Sequence, residues 1–118
     1  MRDIGLSSRE LELMDGVFRR FPAIQRVLLY GSRAKGTHSP QSDIDLALIG
    51  VKNALEVEAV ALELDELPLP YRFDVRAFEG IRNAPLRAHI ERVGLVLYRN
   101  SDAPEDNHPF QGKAATGS

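Results

Sequence analysis

The chain has 118 residues, of which 43% are hydrophobic and 27% are charged, and this composition is typical of one globular domain rather than of a disordered or fibrous segment. Residues 1–99 contain fourteen basic and fourteen acidic side chains, so the formal net charge of -2 comes from the last stretch of the chain. A domain without excess positive charge attracts nucleic-acid phosphates weakly, and direct nucleic-acid binding is not expected. The absence of cysteine excludes disulfides, thiolate metal sites and cysteine nucleophiles.

The sequence carries no targeting signal that we recognise. Its start lacks the apolar run of a signal peptide, and no segment has enough consecutive apolar residues to cross a bilayer. We therefore expect a cytoplasmic protein without membrane contacts. Apolar periodicity ends near Asn100, after which small and polar residues accumulate. This change predicts a folded domain over residues 1–99 and a disordered tail over residues 100–118.

The first half of the chain alternates helical and strand patterns. The segment Ser7-Ser8-Arg9-Glu10 fits a capping box, and apolar residues then recur at helical spacing until Pro22. The β-prone residues 24–30 predict a buried strand that ends at Gly31. After a polar loop, residues 43–49 alternate between polar and apolar types, as the residues of a half-buried strand do.

The second half repeats this alternation. Asn53 offers a cap for a helix that runs until Leu67-Pro68, and its apolar spacing is marked by Leu55, Ala59 and Leu62. Residues 71–77 predict a third strand, and a helix that begins near Pro85 and ends at Gly94 precedes a short strand over residues 95–98. The elements predict an α/β (α+β) fold in which helices flank a small mixed sheet of about four strands.

A glycine-led turn follows the first predicted strand. Gly31 allows a tight turn, and Ser32 can open a short helix whose backbone N–H groups face an anion. This arrangement predicts a cradle for a triphosphate. Arg33 and Lys35 lie in the same turn and can add positive charge against the phosphates, although charged residues in a polar loop are often only solvated.

Three aspartates lie on the second and third predicted strands. Asp43 and Asp45 are two residues apart on one strand, so both point to the same face and can share hard, oxygen-preferring cations such as Mg²⁺. Asp74 completes the site if the two strands are neighbours. With two metal ions, such a site can promote in-line displacement at an α-phosphorus. The competing interpretation of Asp74 is an ion pair with Arg72 or Arg76.

Two segments together resemble a known signature. Leu29-Tyr30-Gly31-Ser32-Arg33-Ala34-Lys35-Gly36 followed by Ser42-Asp43-Ile44-Asp45-Leu46 resembles the signature of the DNA polymerase β nucleotidyltransferase superfamily. More narrowly, residues 8–98 resemble the minimal nucleotidyltransferases, the MntA-type antitoxins that are paired with HEPN-domain toxins. The resemblance implies a polymerase β-type fold, with Ser32 as the phosphate-binding serine, Asp43 and Asp45 as metal ligands, and Asp74 as the third catalytic carboxylate.

The same resemblance implies an activity. Proteins of this kind transfer a nucleoside monophosphate, usually AMP from ATP, to a hydroxyl group with the help of Mg²⁺. In the toxin-paired branch the acceptor is a tyrosine of the HEPN partner, with which a hetero-oligomer is expected, and the modification silences the partner's RNase. Two other functions stay open: an antitoxin that neutralises its partner by binding alone, and nucleotidyl transfer to a small hydroxyl compound, which normally needs a larger chain to enclose it.

Overall fold

The computed structural model describes residues 4–37, 39 and 42–100. Helix α1 spans Ser8–Arg19 and begins at the predicted capping box, in which Glu10 N–H donates to Ser7 Oγ (3.1 Å) and Ser7 N–H donates to Glu10 Oε1 (2.9 Å). Both bonds satisfy N–H groups that a helix start leaves without partners. Within the described ranges, no helix is both long and apolar enough to cross a membrane.

Four strands form one mixed sheet, as predicted. They are β1 (Arg26–Tyr30), β2 (Ile44–Ile49), β3 (Phe73–Ala77) and β4 (Leu95–Arg99), and their order across the sheet is β3-β2-β1-β4. Strand β1 is antiparallel to β2 and to β4, whereas β2 and β3 are parallel. The parallel pair requires a crossover connection between its strands, and a helix after β2 provides it.

Three more helices complete the fold, with the bounds α2 (Ser32–Lys35), α3 (Ala54–Asp65) and α4 (Ala84–Val93). A 3₁₀ turn over Phe78–Gly80 follows β3. Gly94 ends α4, as predicted, although its φ of -63° is available to any residue. Glycine is needed there because an added Cβ would lie 2.5 Å from the carbonyl oxygen of Ile90.

Both faces of the sheet are covered. The two central strands alternate along their length, so successive side chains enter different core clusters. One cluster joins the sheet to α1 and α3 and includes Met14, Phe18, Val27, Leu29, Leu46, Leu48, Val60 and Leu64. The other joins it to the 3₁₀ turn and α4 and includes Leu28, Tyr30, Ala47, Ile49, Phe78 and Ile90. Burial on both faces accounts for the four apolar or aromatic residues that follow Arg26 in β1, and all five residues of the strand are buried.

Helix α3 was predicted correctly, but its core-facing side was not evident from the sequence. Leu55 and Leu62 are 74% and 65% exposed, whereas Val60 and Leu64 are fully buried. The core face uses Val57, Val60 and Leu64, at the helical spacing i, i+3 and i+7. Apolar residues occupy more than one side of this helix, so spacing alone does not determine which side packs against the sheet.

The predicted tail over residues 100–118 lies outside the described residues, with the exception of Asn100. The backbone N–H of Asn100 donates to the carbonyl oxygen of Gln25 (2.9 Å), and its side-chain amide donates to the carbonyl oxygens of Pro22 (3.3 Å) and Ile24 (3.2 Å). These bonds attach the end of β4 to the segment that enters β1.

The orientation of α3 can be tested with a matched pair of leucines. Leu64→Ala should lower the free energy of unfolding by about 2–5 kcal/mol, because it opens a cavity in the core. Leu62→Ala removes the same atoms from an exposed position and should change the free energy by no more than about 0.5 kcal/mol. Urea unfolding followed by circular dichroism measures both variants. Equal losses in the two variants would contradict the observed orientation.

Candidate active site

The turn after β1 brings a glycine against an aspartate. Gly31 has φ 78° and ψ -154°, a conformation that L residues with a side chain rarely adopt. A Cβ built on Gly31 would overlap Oδ2 of Asp45 and would lie 3.2 Å from its Cγ. The tight turn and the second aspartate of the Asp-x-Asp pair are therefore in direct contact. The glycine is required by space as well as by backbone angle.

Ser32 opens the short helix α2, as predicted. No side chain caps the N-terminus of this helix, and Ser32 itself is partly exposed. Lys35 is the last residue of α2 and is exposed. The assignment of these two residues to a phosphate-binding cradle stays a prediction, which their position beside Gly31 favours.

Strand register aligns three polar side chains across the sheet. Tyr30 is the register partner of Asp45, and Asp45 is the register partner of Asp74 in the parallel pair of β2 and β3. Since paired residues point to the same face, the phenol and the two carboxylates form a row. Asp43 precedes β2 by one residue and is exposed. The predicted condition that the strands of Asp45 and Asp74 be neighbours is thus satisfied.

The carboxylates of the site repel one another. The pKa of Asp45 is raised, first by burial and then by the negative charges of Asp74 and Asp43, while Arg76 lowers it. Burial also raises the pKa of Tyr30 to about 12, with opposing contributions from the positive charge of Arg76 and the negative charges of Asp74 and Asp45. Tyr30 is therefore a neutral hydroxyl at ordinary pH. A cation bound among these groups would relieve the repulsion.

Arg76 is the counter-charge already present in the site. Its Nη2 lies 3.5 Å from Asp74 Oδ2, and both side chains are about half exposed. The ion pair that the sequence offered as the competing interpretation of Asp74 therefore exists, with Arg76 as the partner. Exposed pairs of this kind contribute little stability, so the contact does not prevent Asp74 from exchanging its partner for another cation.

The donor atoms suit magnesium, but they are not assembled into a complete site. Carboxylate oxygens are the ligands that Mg²⁺ prefers, and, in addition to burial, the negative charges of Asp74 and Asp43 both raise the pKa of Asp45. Over residues 4–37, 39 and 42–100, no three acidic, histidine or cysteine side chains are gathered closely enough to hold a metal ion. The metal assignment of the three aspartates stays a prediction.

Arg33 has a different environment from the one predicted. Its side chain is only 1% exposed, and Nη1 donates to the carbonyl oxygen of Ile4 (2.9 Å) while Nη2 donates to that of Ser42 (3.1 Å). The guanidinium carbon also lies 5.0 Å above the ring centre of Tyr71. These contacts favour a structural role over phosphate contact. Because Ser42 directly precedes Asp43, Arg33 fixes the backbone that leads into the first aspartate.

Two residues of the site were not selected from the sequence. Tyr30 was included only as the end of the predicted strand over residues 24–30 and as part of the signature, and Arg76 was considered only as a partner of Asp74. The register of three strands places Tyr30 and Arg76 beside Asp45. In agreement with this position, and in addition to the effect of burial, Arg76 lowers the pKa of Asp45, and the charge of Asp45 raises the pKa of Tyr30. A signal for Tyr30 did exist, because it directly precedes the glycine of the turn.

Comparisons with known proteins identify a family and a fold. The family profile described as "Polymerase beta, Nucleotidyltransferase" matches residues 13–103. No curated protein sequence matches significantly. Among solved structures, a chain from a toxin–antitoxin complex with AMP-PNP superimposes with a TM-score of 0.67, at 21% identity over 91% of this chain and 85% of that chain.

Two further solved structures have the same fold. A chain of the MntA–HepT toxin–antitoxin complex has a TM-score of 0.63 and 18% identity, over 94% of this chain and 86% of that chain. A chain from a complex of a tri-AMPylated Shewanella oneidensis HEPN toxin with its MNT antitoxin has a TM-score of 0.56 and 18% identity, over 91% and 85%. At these identities the likeness concerns the fold.

Two alanine substitutions distinguish the effect of the Gly31–Asp45 contact from the effect of backbone strain at a glycine with positive φ. Gly31→Ala should cost about 1–3 kcal/mol of stability and change the titration of the Asp45 carboxyl group, because the methyl group displaces that carboxylate. Gly36 has φ 81°, but a Cβ there would meet no atom within 4 Å. Gly36→Ala should therefore cost about 1–2 kcal/mol and leave the Asp45 carboxyl resonance in place. Carboxyl ¹³C NMR measures the difference, and an unchanged Asp45 resonance in Gly31→Ala would contradict the contact.

The electrostatic repulsion between Asp74 and Asp45 can be tested by removing the Asp74 carboxylate. Asp74→Asn should lower the pKa of Asp45, since a repelling charge disappears, whereas Asp65→Asn on the exposed side of α3 should leave it unchanged. A raised pKa in the folded state means that stability is lost as the pH rises through it, and Asp74→Asn should reduce that loss. Carboxyl NMR and urea unfolding across acidic pH test both effects. A pKa of Asp45 that is the same in both variants would refute the coupling.

Proposed function

The chain belongs to the polymerase β nucleotidyltransferase family, and on that basis we propose that it transfers AMP from ATP to a tyrosine hydroxyl of a HEPN-domain toxin and thereby acts as an antitoxin. The observation that carries the proposal is the alignment of Asp45 and Asp74 across parallel strands, with Asp45 in contact with Gly31. A glycine-led turn suited to phosphates thus contacts one of two strand-paired carboxylates suited to cations. We infer that nucleotidyl transfer uses this arrangement.

Each residue has a part in this proposal. Gly31 and Ser32 bind the triphosphate at the start of α2, and Lys35 adds positive charge from the end of the same short helix. Asp43, Asp45 and Asp74 would hold two Mg²⁺ ions. When bound, such ions neutralise developing charge on the phosphates and lower the pKa of an attacking hydroxyl. Arg33 acts indirectly, by holding the carbonyl of Ser42 next to Asp43.

The proposed reaction is a displacement at the α-phosphorus of ATP. A bond forms between the acceptor oxygen and the α-phosphorus, and the bond between that phosphorus and the oxygen bridging to the β-phosphate breaks, so pyrophosphate leaves. The acceptor proton passes to the Asp74 carboxylate, directly or through water. The carboxylates also position the reacting groups, because Asp45 and Asp74 are fixed by strand pairing rather than by a loop.

A protein acceptor agrees with the size of the domain. The described residues form one sheet with its helices, without a second domain that would enclose a small acceptor. The three solved structures compared above are toxin–antitoxin complexes, of which one contains AMP-PNP and another a tri-AMPylated HEPN toxin. These relatives support a HEPN partner and the use of an adenine nucleotide by this chain.

A specific observation favours a second candidate, an antitoxin that neutralises its partner by binding alone. Asp74 is paired with Arg76, and no metal cluster is formed among the described acidic side chains. In that case the nucleotidyltransferase fold would serve as a scaffold. The two candidates differ in one property, since only the first requires the aspartates for neutralisation.

The transfer can be measured directly. Incubation of the chain with ATP labelled at the α-phosphate, Mg²⁺ and the HEPN-domain product of a neighbouring gene should label that protein on tyrosine. The Asp43→Ala/Asp45→Ala variant should transfer at least about 1,000-fold more slowly, because loss of metal-assisted charge stabilisation removes several kcal/mol. Asp65→Ala, an exposed aspartate on α3, is the matched control and should retain full activity.

Cell growth separates the two candidates. If the double variant still neutralises the toxin while transferring no AMP, the binding antitoxin is the correct function. If the wild-type chain binds ATP but labels no protein, the proposed transfer is wrong.

A further inference from the structure

A cavity of about 610 Å³ lies at the carboxyl ends of the parallel strands β2 and β3, with Arg76 between it and Asp74. Lys52 and Ala54 line it from the start of α3, and Ala77, Gly80 and Arg82 line it from the segment that links β3 to α4. The three aspartates, Gly31 and Ser32 are not among its lining residues. The volume is within the range of about 300–1,000 Å³ that small-molecule sites occupy.

The charge around this cavity is mainly positive. Lys52, Arg76 and Arg82 contribute three cations, against a single carboxylate from Glu58. No described residue forms an ion pair with Lys52 or Arg82. Two cations at a cavity without a neutralising protein partner create a favourable site for an anionic ligand. The arginines can also form paired hydrogen bonds to phosphate oxygens.

Most of the remaining lining is apolar, with Asn83 as its polar member. Ala54, Val57, Ala77, Ile81 and Leu86 supply the apolar surface of the cavity. Such a surface binds a flat or aliphatic body, while the cations at the edge bind a charged group attached to it. A free inorganic ion would use only the charged part of this lining. The combination therefore selects an organic anion.

The attraction for anions comes from side chains, not from the adjoining helix ends. Both α3 and α4 begin at the cavity, but their first turns are already capped by asparagines. Leu55 N–H donates to Asn53 Oδ1 (2.8 Å), and Leu86 N–H donates to Asn83 Oδ1 (2.9 Å). Lys52 and Arg82 are consequently the groups whose removal should matter.

We propose that this cavity is a second ligand site, which binds a small phosphate ester with an apolar body. The site goes beyond the proposed AMP transfer and does not depend on it. Arg76 connects the two regions, since it lines the cavity and also contacts Asp74. A phosphate ester in the cavity competes with Asp74 for this guanidinium.

AMP is the probe, used with the full chain and with EDTA present so that no divalent metal supports binding among the aspartates. Amide NMR should show shifts at Ala54, Ala77 and Gly80 as AMP is added. The Lys52→Ala/Arg82→Ala variant should weaken the Kd for AMP about tenfold or more, because charged contacts to the phosphate are lost. Arg92→Ala, an exposed arginine in the last turn of α4, is the control and should bind AMP normally.

Several outcomes would overturn the proposal. AMP shifts confined to residues 31–36 would place the nucleotide at the candidate active site alone, and the proposed AMP transfer would survive. If Arg92→Ala weakened AMP binding as much as the double variant does, AMP would respond only to the overall charge of the protein. Inorganic phosphate that binds as well as AMP would exclude recognition of the apolar body. Shifts caused by an acidic peptide but not by AMP would assign the cavity to a protein segment instead.

Discussion

The space between Gly31 and Asp45 is the constraint on which the candidate site depends. A side chain at position 31 and the carboxylate at position 45 cannot occupy the same volume, so the turn after β1 can approach β2 only because the residue is glycine. The antiparallel pairing of β1 with β2 delivers Asp45 to that turn, and the parallel pairing of β2 with β3 adds Asp74. Three segments far apart in sequence thus converge without help from a flexible loop. Strand pairing keeps the catalytic candidates positioned before any ligand binds.

Arg33 extends this control to the chain on either side of the site. Its buried guanidinium binds carbonyl oxygens of the segment before α1 and of Ser42, and the ring of Tyr71 covers it. The hydroxyl of Tyr71 in turn donates to Glu10 Oε2 (3.0 Å), a residue of the capping box. A buried charge is tolerated when hydrogen bonds satisfy it, and here they also connect the start of α1 to the backbone before Asp43. Arg33, the arginine of the signature, therefore supports the candidate site by holding the backbone next to it.

Local patterns in the sequence predicted most of the helices and strands. The features that they did not predict depend on contacts between residues far apart in the chain. The capping box at Ser7 and Glu10 predicted the start of α1, because both partners lie within one helical turn. The core-facing side of α3 was not predictable, because the exposed residues Leu55 and Leu62 are as apolar as Val60 and Leu64, which this helix buries in the core. The buried position of Arg33 was not evident for a similar reason: its partners are backbone carbonyls, which leave no signal in sequence. The register of Asp45 with Asp74 likewise depends on strand neighbours that periodicity does not reveal.

Charges of opposite sign are separated within this nearly neutral domain. Asp43 and Asp74 act on Asp45 at one place, while three cations line the cavity beside β3, and Arg76 belongs to the cavity lining and contacts Asp74. The two proposals therefore call for ligands of opposite charge, a metal ion in the first region and a phosphate group in the second. If both proposals hold, a ligand that draws Arg76 into one region changes the electrostatic potential in the other. The net charge of the chain conceals this separation, which exists only in the folded state.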